Sequence, residues 1–286
     1  MKYSALIGNP TEHSVSHIMY EELAIAAGVK QAYRHLKIDV VAKELPLALS
    51  SFKQLNFIGI NVTLPYKMEV MQYLDEVDET VNALGAVNTI SFGMKTTGYN
   101  TDWIGIAIPI QNTIGDKKVG TVVIFGTGGA ARTAIYAAKQ LKAKEIIVLY
   151  RSSHAQALGD LADKSDEFGI KLLDYTHVKD AVTEANIIIN ATSAGMVGKD
   201  STPFDLTELD GVELKNKIFL DAVFNPLQTP LMRHFHSLEA LTIDGLWMMI
   251  HQGVAALSIW LREDVKISNQ DLLRIHDQLE DSISHA

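Results

Sequence analysis

Apolar and polar residues alternate through the segment 57-FIGINVT-63. Ile58, Ile60 and Val62 fall on one face of an extended chain, and Gly59, Asn61 and Thr63 on the other. The segment therefore predicts a strand with one core face and one hydrogen-bonding face. Pro65 ends the ladder and suits the first position of a helix, which would place Lys67 at the end of the strand. Around it, Tyr3–Ile7, Tyr33–Ile38 and Val87–Ser91 read as further strands. Ser16–Ala27, Lys43–Leu55 and Lys67–Leu74 read as helices, the first stopped by Gly28.

A second series of alternating elements follows Gly115. The buried-type strand 121-TVVIF-125 runs straight into 126-GTGGAA-131, and a helix continues to about Leu141. Next come a strand at 145–150, a helix near Ala155–Lys164, and strands near Lys171–Asp174, at 186–190 and at 217–223. Strands spaced by helix-length segments predict a parallel sheet covered on both faces. After Gly245 the pattern turns helical, with Trp247–Trp260 and a last helix from the Ser268/Asn269 cap to about Asp281. The fold class is α/β. The expected domains are 1–110, a Rossmann-like domain over 111–240, and C-terminal helices over 241–286 that return to the first domain. Charge and glycine cluster at Gln111–Lys118, the expected linker.

Bulk properties narrow the classes. A chain of 286 residues stands where single cores give way to two domains. It has no cysteine, so disulfides and thiolate metal sites are excluded, and no other metal site is expected. The net charge of -9 makes nucleic acid a poor partner. No signal peptide is visible, and no apolar run approaches the roughly 20 residues of a membrane span. A soluble cytoplasmic protein, monomer or homodimer, is expected, acting on a small molecule.

The GTGGAA loop fits G-x-G-x-x-A in its required setting, after a strand and opening a helix. Gly126 would make the tight turn, Gly128 would admit a pyrophosphate, and the helix N-terminus would supply aligned N–H groups. The plainer alternative is a glycine-rich turn that binds nothing. The second strand ends in Tyr150-Arg151-Ser152-Ser153. Where an NAD site usually carries an acid, this chain has Arg151, whose planar fork suits a phosphate. NADP is therefore expected over NAD, which stays the alternative nucleotide.

In the first domain, Ser14 and Ser16 stand between a strand and a helix and could present hydroxyls to an anion or merely cap the helix. 85-GAVNTI-90 puts Asn88 in a strand, and 98-GYNTDWIG-105 brings Asn100, Thr101 and Asp102 to a helix start. Asp102 alone reads as an N-cap, Lys67 alone as a solvated charge, and Gln252 as a polar residue on an apolar helix. Taken in order, these motifs resemble the shikimate dehydrogenase family, including its shikimate/quinate branch. The resemblance runs through Ser-x-Ser, 61-NVTLPYK-67, GAVNT, GYNTD, GTGGAA, Arg151, 190-NATSAGM-196, 225-NP-226 and the final Asp244, Gly245 and Gln252.

The resemblance implies NADPH-dependent, reversible reduction of 3-dehydroshikimate to shikimate in aromatic amino-acid biosynthesis. It makes 1–110 the substrate domain, with the active site in a cleft between the domains. Ser14 and Ser16 would hold the substrate carboxylate; Asn61, Thr63, Asn88 and Gln252 would serve its hydroxyls; Lys67 and Asp102 would be the catalytic pair. Gly126, Thr127, Gly128, Gly129, Ala130, Arg151 and Ser152 would hold the nucleotide, with Thr192, Ala222 and Gly245. The chemistry is sound in itself, because a lysine ammonium can stabilise the oxyanion of a reduced ketone and donate its proton.

Three positions depart from the family pattern. His17 stands where proline is common. Phe224 stands at a substrate position where tyrosine is common, which removes a phenol donor. His154 stands where a second basic residue often completes the phosphate clamp. A quinate/shikimate enzyme with relaxed cofactor use, a methylenetetrahydrofolate dehydrogenase-like protein and a non-catalytic NADP sensor remain as alternatives. His13 and His17, four apart, lack a third ligand at metal-site spacing, and His234/His236 read as a surface feature.

Overall fold

The computed structural model describes residues 1–153, 158–163 and 165–284. The chain forms two compact units. One comprises Met1–Gly105 with Met249–Ala286; the other is Ile106–Met248. The sequence expectation divided the chain after 110 and 240. Both observed divisions fall inside helices, Asp102–Ile114 and Gly245–Leu261.

The first unit is built on a six-stranded mixed sheet. Its strands are β1 (Lys2–Gly8), β2 (Tyr33–Asp39), β3 (Phe57–Val62), β4 (Glu76–Val77), β5 (Thr89–Phe92) and β6 (Thr96–Tyr99). The spatial order is β2-β1-β3-β5-β6-β4. β1 runs parallel to β2 and β3, while β5 is antiparallel to both β3 and β6. Helices α1 (Ser16–Ala26), α2 (Leu45–Gln54), α3 (Glu79–Leu84) and α4 (Asp102–Ile114) follow the chain.

The alternation in β3 has the predicted consequence. Ile60 and Val62 enter a core with Ile7, Leu45, Phe52 and Ile90. On the other face Gly59 lies under Trp260, whose indole N–H donates to the Ile90 carbonyl at 2.9 Å. A Cβ at position 59 would stand 2.1 Å from the indole nitrogen and 2.4 Å from that carbonyl, so the close approach requires glycine.

One expected element is absent. Residues 67–74 do not form an α-helix; a turn leads into a 3₁₀ segment at Glu69–Tyr73. Bonds of the i to i+3 type close it, from Met71 N–H to Met68 O and from Leu74 N–H to Met71 O. The buried side chains of Tyr66 and Val70 pin this stretch, and the Tyr66 hydroxyl donates to the Val40 carbonyl at 2.5 Å.

The second unit has six strands, all parallel: β7 (Thr121–Phe125), β8 (Glu145–Tyr150), β9 (Lys171–Asp174), β10 (Ile187–Asn190), β11 (Ile218–Asp221) and β12 (Leu241–Ile243). Their order is β12-β11-β10-β7-β8-β9. The chain winds outward from β7 to β9, then restarts at β10 on the other side of β7. This is the doubly wound arrangement, and its switch point lies between β7 and β10. Val123, Phe125, Ile147, Leu149, Ile188 and Phe219 form the core that joins the strands to their helices. Helices of this unit include α5 (Gly129–Gln140), α6 (Asp160–Asp163), α7 (Ser165–Phe168), α8 (Val178–Glu184) and α9 (Pro230–Ser237), of which α8 and α9 contribute side chains to this core. The expected helix at Ala155–Lys164 lies partly outside the described residues. α10 (Gly245–Leu261) and α11 (Asn269–Ser284) end the chain. Ser268 caps α11 by accepting from Asp271 N–H at 3.1 Å and donating to its carboxylate at 2.7 Å.

Candidate active site

The register of the first sheet sets Asn61 of β3 opposite Thr89 of β5, which brings two of the sequence motifs side by side. Beyond the end of β3, the Lys67 backbone is tied down by Val87 N–H, which donates to the Lys67 carbonyl at 2.7 Å. From there the Lys67 ammonium reaches Asp102 Oδ2 at 2.6 Å. Asp102 is the first residue of α4, yet it does not cap the helix. Asn100 does so, accepting from Asp102 N–H at 3.1 Å. The Asp102 carboxylate is thereby left to Lys67 and Asn88.

Asn88 is the hub of a polar network. Its amide nitrogen lies 2.7 Å from Asp102 Oδ1, 3.0 Å from Thr101 Oγ1 and 3.4 Å from Gln252 Oε1. Its amide oxygen accepts from Thr101 N–H at 2.8 Å. Asn61 donates to the Asn88 carbonyl and to Thr89 Oγ1, at 3.2 and 3.1 Å. Thr101 donates to Gln252 Oε1 at 3.3 Å, and Gln252 donates to the Met249 carbonyl at 2.9 Å. Asn61, Asn88 and Thr101 are buried, so these bonds fix their rotamers and leave few alternatives. Thr101 was not among the candidates. Its signal was its place in GYNTD, between an Asn and an Asp that were already singled out.

The side chains of Lys67 and Asp102 keep 29% and 16% of their surface accessible. The pair is thus sheltered but reachable. An ammonium carries three donors, and Asp102 takes one; the others can meet an oxygen on a bound molecule.

Four other candidates are less directly joined. Thr63 packs its methyl against Gly8 and makes no side-chain bond to the network. Ser14 Oγ accepts from Ser16 N–H at 3.2 Å, and the buried Ser16 hydroxyl has no protein partner among the described residues. One turn further along α1, the buried Tyr20 phenol has a pKa raised by burial, an effect that nearby Asn61 only partly opposes. On β2, burial and then neighbouring His17 lower the pKa of His35 to about 3, so this ring is neutral. Phe224 is half-buried in the second unit and beside the Asn225–Pro226 pair.

In the second unit, Gly126 and Thr192 follow β7 and β10, the two strands at the switch point. Gly126 has φ +104°, and a Cβ there would stand 2.8 Å from the Thr192 methyl. A cavity of about 680 Å³ opens here, lined by Gly126, Thr127, Gly128, Arg151, Thr192 and Asp200 among others. That volume suits a cofactor-sized ligand. Gly128 precedes α5 with no side-chain cap, and neither Gly128 nor Gly129 has an atom within 4 Å of where a Cβ would stand. Uncapped N–H groups beside open space fit a pyrophosphate. Ala130 is exposed in the first turn of α5, and Ser152 is exposed after Arg151. Gly245 packs against the Ala222 and Val223 backbone. Arg151 is not free: its guanidinium meets Asp200 Oδ2 at 2.8 Å. Sequence reasoning missed Asp200, which no motif marks. His154 lies outside the described residues.

A doubly wound sheet with an open glycine-rich turn, in a chain that also holds an ammonium–carboxylate pair, defines a nicotinamide-nucleotide-dependent oxidoreductase. Comparison with known proteins narrows the class. Residues 6–90 match the family described as shikimate dehydrogenase substrate binding domain. A shikimate dehydrogenase (NADP(+)) of Methanocaldococcus jannaschii is 36% identical over 263 residues, 91% of each chain. A crystal structure of a shikimate dehydrogenase in complex with NADP+ is 34% identical, with TM-score 0.81 over 97% of this chain and 96% of that one. Quinate dehydrogenase from Corynebacterium glutamicum, in complex with NAD, is 30% identical with TM-score 0.81, covering 96% of this chain and 99% of that one. The chain belongs to the shikimate dehydrogenase family.

Proposed function

We propose that this chain catalyses the reversible, NADP(H)-dependent interconversion of 3-dehydroshikimate and shikimate. The observation that carries the reading is the Lys67–Asp102 contact of 2.6 Å, with Asn88 on the second carboxylate oxygen. Relatives named as NADP(+)-dependent shikimate dehydrogenases support the substrate and the nucleotide.

When bound, NADP supplies the two-electron redox chemistry at its nicotinamide. The chain's own residues provide orientation and a proton path. As the ketone is reduced, negative charge gathers on its oxygen. The Lys67 ammonium stabilises that charge and gives up a proton to form the alcohol. Asp102 holds the ammonium in place, and Asn88 holds Asp102. Asn61, Thr63 and Gln252 would position substrate hydroxyls, and Ser14 and Ser16 would take the carboxylate; the buried Ser16 hydroxyl, which has no partner among the described residues, supports that part. In the second unit Gly126, Thr127 and Gly128 would take the pyrophosphate, with Gly129 and Ala130 opening the helix behind them. Arg151 and Ser152 would face the 2′-phosphate, and Thr192, Ala222 and Gly245 would lie along the nicotinamide half.

A second reading, a quinate/shikimate enzyme with relaxed cofactor use, is favoured in its nucleotide part by one observation: a carboxylate already occupies Arg151. A spectrophotometric assay with shikimate and quinate, each against NADP+ and NAD+, separates the two. Turnover confined to shikimate with NADP+ supports the first reading. Higher kcat/KM for quinate, or no turnover with either acid, overturns it.

A further inference from the structure

An acid that binds the ribose 2′-hydroxyl in NAD sites normally stands at the end of the second strand, where this chain has Arg151. The structure supplies an acid there from elsewhere. After β10 the chain makes a tight excursion, closed by Gly195 N–H donating to the Asp200 carbonyl at 2.7 Å and by Lys199 N–H donating to the Met196 carbonyl at 3.1 Å. This turn sets Asp200 on the wall of the glycine-loop cavity, with its carboxylate 2.8 Å from the Arg151 guanidinium. Lys199 lines the same wall and has no carboxylate partner among the described residues.

An ion pair this exposed, at 40% and 66% side-chain accessibility, adds little to stability. Its position gives it another effect. A 2′-phosphate can reach Arg151 only by taking the guanidinium from Asp200, and it then stands beside a like charge. A ribose 2′-hydroxyl meets neither obstacle and can donate to the carboxylate.

We propose that Asp200 is a specificity-determining residue that narrows the preference for NADP(H) over NAD(H), by competing with the 2′-phosphate for Arg151 and by accepting a 2′-hydroxyl. The proposal rests on the nucleotide reading of the cavity and adds a residue to it. Its consequence is an enzyme that discriminates between the two nucleotides less sharply than Arg151 alone would dictate.

The test is equilibrium binding of NADPH and NADH, followed by their fluorescence, for the full chain, Asp200→Asn, Arg151→Ala and the double variant at one ionic strength. Removing the carboxylate should tighten NADPH roughly 5-fold and leave NADH unchanged or weaker. In the Arg151→Ala background the gain for NADPH should vanish. Equal changes for both nucleotides, no change for either, or a gain that survives without Arg151 would overturn the proposal while leaving the nucleotide site intact. A wild-type protein that binds neither nucleotide would instead remove the reading of the cavity, and this inference with it.

Discussion

Asn88 and Asp102 meet at 2.7 Å, amide nitrogen to carboxylate oxygen, on the side of the carboxylate that Lys67 does not use. The carboxylate is therefore held at both oxygens, and the ammonium can occupy only a narrow range of positions. Lys67→Ala should lower kcat by about 100-fold or more while leaving NADPH binding in place. Asp102→Asn should also lower kcat, because a neutral amide no longer anchors the ammonium. Fluorescence titration beside steady-state assay checks both, and near-normal turnover in Lys67→Ala would refute the catalytic role.

Asn88→Ala acts differently. It strips partners from the half-buried Asp102 Oδ1 and from the N–H of buried Thr101. A loss of about 1–3 kcal/mol in unfolding free energy is expected. Activity should fall even well below the melting temperature, since Asp102 gains freedom. Urea titration together with assay at low temperature would show whether the two losses occur together.

The glycine loop offers a contrast between two alanine substitutions. Gly126→Ala places a methyl group 2.8 Å from Thr192 on a left-handed backbone, so stability should drop by about 1–3 kcal/mol along with nucleotide binding. Gly128→Ala meets no atom within 4 Å. Its melting temperature should stay near wild type while NADPH binding weakens, because the methyl group takes the space meant for the pyrophosphate. A Gly128→Ala protein with unchanged NADPH affinity would contradict the proposed seat.

Asp221 gives a prediction about pH. Burial raises its pKa to about 6, and the bonds from Thr229, Val223 and Asn190 lower it only in part. A folded-state pKa above the unfolded one means that its stabilising contribution is complete below the usual carboxylate range. That contribution is lost as pH rises through about 6. The loss amounts to about 2 kcal/mol between pH 4 and 7. Asp221→Asn should flatten this part of the stability–pH curve, measured by thermal unfolding from pH 4 to 7. An unchanged slope would place the titration elsewhere.

Much of this architecture could be read from the order of residues. The strands at β3, β7 and β8 follow from β-branched and apolar runs bounded by turn residues, and the glycine loop directly after β7 marks the nucleotide-type strand–loop–helix unit. Other parts lacked a readable signal. β6 has the sequence TTGY, with little apolar character; it is a strand because Gly98 lets Leu74 and Val87 pack close. β4 is only two residues long. The expected helix from Lys67 failed because i to i+3 closures suit a short stretch pinned by Tyr66 and Val70. α9 did carry a signal that was passed over. Thr229 caps it by accepting from Met232 N–H at 3.0 Å, Pro230 opens it, and Leu231, Met232 and Phe235 face the core. His234, expected at the surface, buries its Nε2 there. In the site, Lys67, Asp102, Asn61, Asn88 and Gln252 were legible because each lies in a distinctive motif. Asp200 was not, since a carboxylate in a loop gains meaning only when folding sets it against Arg151.

The groove that Gly59 leaves for Trp260 has a bearing on biosynthesis. The first unit is assembled from the chain's beginning and its end, with the whole second unit interposed. On the ribosome, β3 emerges long before the indole that covers it and before Gln252, which completes the Asn88 hub. The first unit thus depends on a late, long-range closure, the slow kind of contact in folding. Until α10 is released from the exit tunnel, the nascent chain carries its lysine–aspartate pair beneath an unfinished roof.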